Sequence, residues 1–354
     1  MNRAVEAALL SYPWEEPPAR GEAIEIAPGV LWMRLPLPMR LDHVNVYALD
    51  DGDAGWTIID TGFSTQMTRD IWADLLAGPL QGRPVHRVVV THHHPDHVGL
   101  AGWFVQTHGA ALHCTRTTYL MARMLTLDVQ DRTPAEAMEF YRGTGMPADL
   151  LEKRKTERPF NFADIVDPVP LGFTRIKQGD VIEMAGRRWD VHVGNGHAPE
   201  HATFWSQDCD LVLAGDQILP SISPNIGVYV TEPMADPVAE WLEACERLRK
   251  LARPDHLVLG GHKLPFRGLD TRMGQLINNH HGALNRLLQH LESPKTAAEC
   301  FAALFKREIG EGEYGLALVE AKAHVSHLYQ SGRATRTRGE NGAWLYQANG
   351  ASDG

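Results

Sequence analysis

The chain has 354 residues, a formal net charge of −10, 44% hydrophobic residues and four cysteines. This length allows a substantial core plus a second unit, and the acidic balance argues against a polyanion as the default partner, although a local basic groove could hide under that total. Cys114, Cys209, Cys245 and Cys300 are widely separated and form no CxxC pair, which suits a reducing compartment and gives no sign of a disulfide framework.

The opening MNRAVEAALLSYPWEE breaks its apolar stretch at Glu6 and ends in acids and prolines, so residues 1–22 read as an N-terminal extension without a secretory signal. Nothing approaches 18 consecutive apolar residues, so no membrane span and a cytoplasmic location are expected. Strands are predicted over 23–26, 30–37, 44–49 and 55–60, and an amphipathic helix over 64–77, stopped by Gly78 and Pro79. The apolar run Val88 to Val90 is a further strand, with a helix from His97 through Val105. A second strand set is expected over 174–193, 201–206 and 211–214, with a hairpin turn at Asp208 to Asp210. Val238, Trp241, Leu242, Cys245, Leu248 and Leu251 recur at three and four, the spacing of a helix laid on a sheet. Two strand sets with intervening helices predict an α/β protein, a four-layered αββα sandwich.

The densest chemical signal is THHHPDHVG, which places His92, His94, Asp96 and His97 where a buried strand ends. Imidazoles and carboxylates suit borderline divalent metals such as zinc, and this set exceeds what one ion takes from one segment, so two adjacent metals are expected. Asp60 in WTIIDTG, His197 in NGHAPEH, Asp216 in LVLAGD and His262 after LVLGG each sit where an apolar strand gives way to glycine or a turn residue. All could converge on one rim of a sheet-based core. A histidine-rich surface loop would account for the first cluster but not for these other placements.

With these residues the chain resembles the metallo-β-lactamase superfamily, over roughly residues 25 to 290. The HxHxDH motif is His92, His94, Asp96 and His97, the first-strand aspartate is Asp60, and the later ligands are His197, Asp216 and His262. The resemblance implies one metal on His92, His94 and His197, another on Asp96, His97 and His262, and Asp216 bridging both. Asp60 then orients the ligands from behind. The expected cofactors are two divalent ions, Zn2+ first, with Mn2+ or Fe2+ as alternatives. A water shared by two such ions about 3.5 to 4 Å apart loses its proton near neutral pH and becomes the nucleophile. Candidates for delivering a proton to the leaving group are Asp96, His201 and Tyr229.

The long interval between His97 and His197 carries a helical segment, about 116–160, with Met121, Met124, Met138 and Met146 among aromatic and aliphatic residues. Methionine-rich surfaces adapt to varied ligands, so this reads as a cap over an apolar substrate, the bland alternative being insertion packing. The metallo-β-lactamase domain is placed at 23–292. Its last helix carries the stripe Leu276, Ile277, His280, Leu284, Leu287, Leu288 and Leu291, which makes His280 core-facing. Beyond Ser293 and Pro294, helices over 296–306 and 316–328 and a strand pair through 334–346 resemble a winged-helix domain at 293–350.

That combination is similar to the β-lactamase-like protein 2 group, which includes an endoribonuclease, so phosphodiester cleavage is the main alternative. Yet residues 293–354 contain seven Lys and Arg against seven Asp and Glu, where a nucleic-acid binder needs a basic face. A packing or homodimer role is favoured for the tail. No glutathione-binding basic pattern of the glyoxalase II type is found, His94 disfavours the diiron flavoprotein branch, and Asp216 favours a bridged binuclear hydrolase over the β-lactamase classes. A lactonase or β-lactamase stays open. The expectation is a cytosolic binuclear metallohydrolase acting on a small ester or thioester with an apolar acyl part.

Overall fold

The computed structural model describes residues 10–305 and 307–349. The first nine residues of the expected N-terminal extension, residue 306 at the end of the helix expected from Thr296, and residue 350 at the end of the expected C-terminal domain lie outside the described residues. In chain order the elements are β1 (Ile24–Ala27), β2 (Val30–Pro36), β3 (His43–Asp50), β4 (Trp56–Ile59), α1 (Gln66–Ala77), β5 (Val85–Val89), α2 (Pro95–Val98), α3 (Ala101–His108), β6 (Ala111–Cys114), α4 (Arg116–Leu127), α5 (Ala135–Gly143) and α6 (Ala148–Thr156). There follow β7 (Thr174–Arg175), β8 (Val181–Met184), β9 (Arg187–Gly194), β10 (His201–Ser206), β11 (Leu211–Gly215), α7 (Pro237–Arg249), β12 (Leu257–Gly260), α8 (Leu269–His290), α9 (Phe301–Phe305), α10 (Tyr314–Gln330), β13 (Ala334–Arg338) and β14 (Trp344–Ala348). Two compact units result. Among the described residues the first comprises 10–129, 160–224 and 248–273, and the second 130–159, 225–247, 274–305 and 307–349. Each unit is built from segments interleaved along the chain.

In the first unit, β1 to β7 form a sheet in sequence order, antiparallel through β4 and parallel from β4 to β7. A second sheet runs β12-β11-β10-β9-β8, antiparallel except for the parallel pair β11 and β12. Trp32, Tyr47, Ile59 and Val89 of the first sheet pack on Trp189, Val191, Phe204, Leu213 and Leu259 of the second. The opposite face of the first sheet, with Val44, Val46, Ile58 and Val88, is covered by Ile71, Trp72 and Leu75 of α1, Phe104 of α3 and Tyr119 of α4. Alternation explains both clusters, because successive side chains of one strand point to opposite faces. α1 starts where its cap allows, with Thr65 Oγ1 accepting from the Thr68 amide at 3.1 Å, a cap worth about 1 kcal/mol.

Three expectations are corrected. The helix expected from His97 through Val105 is two helices, α2 and α3. They meet at Gly99, where a Cβ would lie 2.4 Å from the Gly62 carbonyl oxygen and 2.6 Å from that of Pro95. The segment 174–193 is not one strand set: β7 joins the first sheet beside β6, whereas β8 and β9 belong to the second. β6 itself has no counterpart among the predicted strands, since ALHC is only four residues long and runs almost directly into a helix. The methionine-rich segment forms three helices, of which α4 belongs to the first unit and α5 and α6 to the second. Its methionines are unequal: Met124 is exposed, Met121 and Met138 are half-buried, and Met146 is buried.

The second unit contains α5, α6, α9 and α10 and the ribbon of β13 and β14. The expected order of two helices and a strand pair is present, the first helix shortened to α9 after a 3-10 turn at Ala298–Cys300. His280 is buried, its ring stacked on His324 (centroids 5.7 Å, 14° between planes) and beside Trp241. It is the core histidine that the helical spacing predicts. Among the described residues no helix is long and apolar enough to cross a membrane.

Candidate metal centre

Parallel pairing aligns strand ends, and it does so twice in the first unit. β4 and β5 end together and release Asp60 and the segment from His92 to His97, while β11 and β12 end together and release Asp216 and His262. His197 follows β9. His94 stands at the N-cap of α2, with Pro95 at the first helical position, where a missing amide hydrogen costs nothing. One short turn therefore presents His92, His94, Asp96 and His97 together.

The side chains form three overlapping groups whose ligand atoms lie within 4.8 Å of one another: His92, His94 and His197; His92, His97 and Asp216; Asp96, His97 and His262. In the first, His92 Nε2 is 3.0 Å from His94 Nδ1 and 3.3 Å from His197 Nε2. In the last, Asp96 Oδ2 is 3.5 Å from His97 Nε2 and 3.4 Å from His262 Nε2. Asp216 touches both sides, with Oδ2 at 3.1 Å from His262 Nε2 and 3.6 Å from His197 Nε2, and Oδ1 at 3.5 Å from His97 Nε2. The expected ligand set is thus brought together.

A pair of orphaned atoms tests whether these residues suit a metal. His97 Nε2 and Asp216 Oδ1 are buried with no hydrogen-bond partner, which buried polar atoms rarely tolerate. Both are ordinary ligands of borderline divalent ions. Burial, reinforced by the neighbouring histidines, holds His92 and His94 well below the usual imidazole range. Burial acts the same way on His97, but Asp216, Asp96 and Asp60 together outweigh it and raise that ring well above the usual range. Asp216 stays ionised against its burial because His262 and His97 face it. Neutral nitrogens on one side and carboxylates on the other are a donor set for cations.

Asp60 lies behind this set. Its Oδ2 accepts from His97 Nδ1 at 2.8 Å and from Thr91 Oγ1 at 2.8 Å, and its Oδ1 accepts from the Thr91 amide at 2.8 Å. With Nδ1 of His97 held by Asp60, Nε2 is the nitrogen left facing the centre. We expect Asp60→Asn to keep the fold and to weaken metal affinity or turnover by about 10 to 100-fold. Metal titration followed beside circular dichroism checks this, and undiminished affinity and turnover would remove its orienting role.

The proton-donor candidates fare differently. Asp96 is in the centre, with 17% of its side chain exposed. His201 is in the same unit but fully buried, stacked on His92 at 4.5 Å, with Nε2 accepting from the Asp216 amide at 3.0 Å. Burial pushes it down to about 3, and its hydrogen bond to the Asp216 amide is the stabilising contact weighed in the sequence against a direct substrate role. Tyr229 belongs to the second unit, where its hydroxyl lies 3.4 Å from Asn225 Oδ1. Two residues that matter escape the sequence reading. Thr91 ties Asp60 to the His92 turn, and Gly261 lies so close that a Cβ there would be 2.2 Å from Asp216 Oδ1. The doublet Gly260-Gly261 before His262 is the available signal.

Residues 39–262 match the family described as Metallo-beta-lactamase superfamily. The chain belongs to that superfamily. Residues 284–349 match a second family, the metallo-beta-lactamase-like C-terminal domain. A Bacillus subtilis (strain 168) protein named "Probable metallo-hydrolase YqjP" is 27% identical over 310 residues, 84% of this chain and 92% of that protein. The crystal structure of a beta-lactamase domain protein from Burkholderia ambifaria shares 35% identity and superposes with a TM-score of 0.90 over 98% of this chain and all of the other. That of a metallo-beta-lactamase family protein from Thermus thermophilus shares 28% identity, with a TM-score of 0.76 over 92% of this chain and 100% of that one. The αββα fold class and the family-type metal cluster are therefore those of this superfamily, and the chain is a metallohydrolase of it.

Proposed function

We propose that this metallo-β-lactamase-fold chain is a binuclear zinc hydrolase acting on small esters or thioesters with an apolar acyl part. The observation that carries the substrate class is the placement of α4. Its first turn is tied to the loop after His197: Thr115 Oγ1 donates to the Glu200 carbonyl at 2.8 Å, and the Thr117 amide donates to Glu200 Oε2 at 2.7 Å. From that tether the helix exposes Leu120 (55%), Met124 (43%) and Leu127 (67%) at i, i+4 and i+7. An apolar stripe left in water on a helix anchored to a metal loop is a ready contact for an acyl chain.

His92, His94 and His197 would hold one ion and Asp96, His97 and His262 the other, with Asp216 shared. When bound, such a pair activates water at neutral pH and polarises the scissile carbonyl. The protein's own part is orientation: Asp60 fixes His97, Thr91 fixes Asp60, and His201 holds the Asp216 backbone. Asp96, a partly exposed carboxylate of the cluster, is assigned proton transfer to the leaving group.

The alternative of RNA cleavage is disfavoured by how the tail uses its arginines. Arg336 lies over the rings of Tyr329 and Trp344, Arg338 lies over Trp344 and pairs with Glu139, and Arg333 donates to Asn285. Guanidiniums engaged within the unit make a poor phosphate-binding face. The test is a hydrolysis screen of the zinc-loaded protein against acyl-thioesters and esters of increasing chain length, lactones, β-lactams and a structured RNA. Rates should rise with acyl length, and Met124→Gln should penalise long acyl substrates more than short ones, since each buried methylene contributes about 0.8 kcal/mol. Cleavage of RNA at physiological salt with no acyl hydrolysis would replace this reading by the nuclease.

A further inference from the structure

β3 is buried on both faces, yet alternate positions along it read His43, Asn45 and Tyr47. Period two sets these three on one face, and each reaches the turn from Gly260 to Lys263 that carries His262. The two protons of Asn45 Nδ2 go to the carbonyls of Gly260 (3.0 Å) and Lys263 (2.7 Å), and its backbone amide donates to the Gly261 carbonyl at 2.6 Å. Tyr47 Oη donates to the Gly260 carbonyl at 2.7 Å. The His43 carbonyl accepts from His262 Nδ1 at 2.7 Å, and His43 Nε2 accepts from the Lys263 amide at 2.8 Å. Asn45 is itself held from behind, its Oδ1 accepting from Trp32 Nε1 at 3.0 Å and Arg34 Nε at 3.1 Å.

One buried amide thus grips both ends of the ligand turn while β2 fixes the orientation of that amide. The turn needs gripping, because Lys263 has φ of +69°, a conformation that side-chain-bearing residues avoid. An all-apolar strand face would pack two sheets equally well. Buried polar groups there require full satisfaction, and at Asn45 the donated bonds all go to the turn. His262 Nδ1 is committed to the His43 carbonyl, which leaves Nε2 directed at Asp216 and Asp96.

We propose, on the two-ion reading above, that Asn45 is a positioning residue for His262 and so sets the affinity of the Asp96, His97 and His262 site separately from that of the His92, His94 and His197 site. Asn45→Asp keeps the shape and the contacts to Trp32 and Arg34, but sets a carboxylate oxygen against the Gly260 and Lys263 carbonyls in place of the two bonds donated to them. Tyr47→Phe removes a single hydroxyl and keeps the packing.

The test is a Co2+ titration of the metal-free full chain, read by visible absorption, with thermal melts of the metal-free proteins alongside. The unaltered chain should take two ions in two steps. In Asn45→Asp the step assigned to the His262 site should weaken by about 10 to 100-fold, with the other step unmoved. Tyr47→Phe should shift the same step less, and it carries the test if Asn45→Asp does not fold. Variants in which both steps weaken together with the melting temperature would reduce Asn45 to a general structural role and overturn the proposal. Variants that titrate like the unaltered chain would overturn it alone, whereas an unaltered chain that takes one ion overturns the two-ion reading and the proposal with it.

Discussion

Asp216→Ala should leave the protein folded, with one divalent ion per chain, and should lower turnover by more than the roughly 100-fold that loss of an outer ligand partner costs. The expectation follows from its contacts, since one Asp216 oxygen faces His97 and the other faces both His262 and His197. No other carboxylate among the described metal-binding groups reaches both sides. The local fold does not need the carboxylate, because the Asp216 amide donates to His201 Nε2 and alanine keeps that amide. Circular dichroism should therefore be unaltered while elemental analysis after dialysis shows the loss, with turnover read on the best substrate of the hydrolysis screen. A variant that keeps two ions and full turnover would remove the bridging role. An unaltered protein with one tight ion, and no gain on adding more, would overturn the binuclear centre itself.

The centre is legible in the sequence because its ligands sit at chemically conspicuous breaks. Continuous apolar runs such as WTII and LVL end abruptly in aspartate, or in glycine followed by aspartate or histidine, and a buried strand must surface somewhere. What supports those ligands is harder to read, since it depends on pairings far apart in the chain. Asn45 lies 218 positions from Lys263, whose carbonyl it binds. Its only sequence trace is the alternation of His43, Asn45 and Tyr47 with Val44, Val46 and Ala48, which a period-two pattern would ordinarily assign to a solvent-facing side. The second sheet covers that side, so the polar face is buried. The strand β7 is assigned to the wrong sheet for a related reason: two exposed residues, Thr174 and Arg175, carry no hydrophobic signal of their own, and only the edge offered by β6 places them in the first sheet. His201, four residues beyond His197, is a proton-donor candidate in the sequence, beside the plainer reading of a loop-stabilising hydrogen bond. It starts β10 paired with Gly194 of β9, and that register turns it behind His92.

Gly261→Ala should be nearly as damaging as loss of Asp216, although it removes no ligand. A Cβ at this position would stand 2.2 Å from Asp216 Oδ1 and 2.7 Å from His97 Cε1, both below any real carbon contact. The loop has little freedom to withdraw. The Gly261 amide donates to the Gly215 carbonyl at 2.8 Å, and the Gly261 carbonyl accepts from the Asn45 amide at 2.6 Å. Asp216 or His97 must then move, and His97 is pinned by Asp60, so the cost falls on the Asp216 carboxylate. Overpacking of this kind typically costs about 1 to 3 kcal/mol of stability. The same displacement pulls Oδ1 and Oδ2 away from both groups of ligands. The expected result is a folded protein with a lowered melting temperature, loss of one ion and a rate deficit comparable to that of Asp216→Ala. In the double variant Gly261→Ala with Asp216→Ala, the clash with Oδ1 disappears, so part of the lost stability should return while turnover stays low. A Gly261→Ala protein with two ions and unaltered turnover would show that the turn yields freely, and that the close approach of its backbone to Asp216 has no part in shaping the centre.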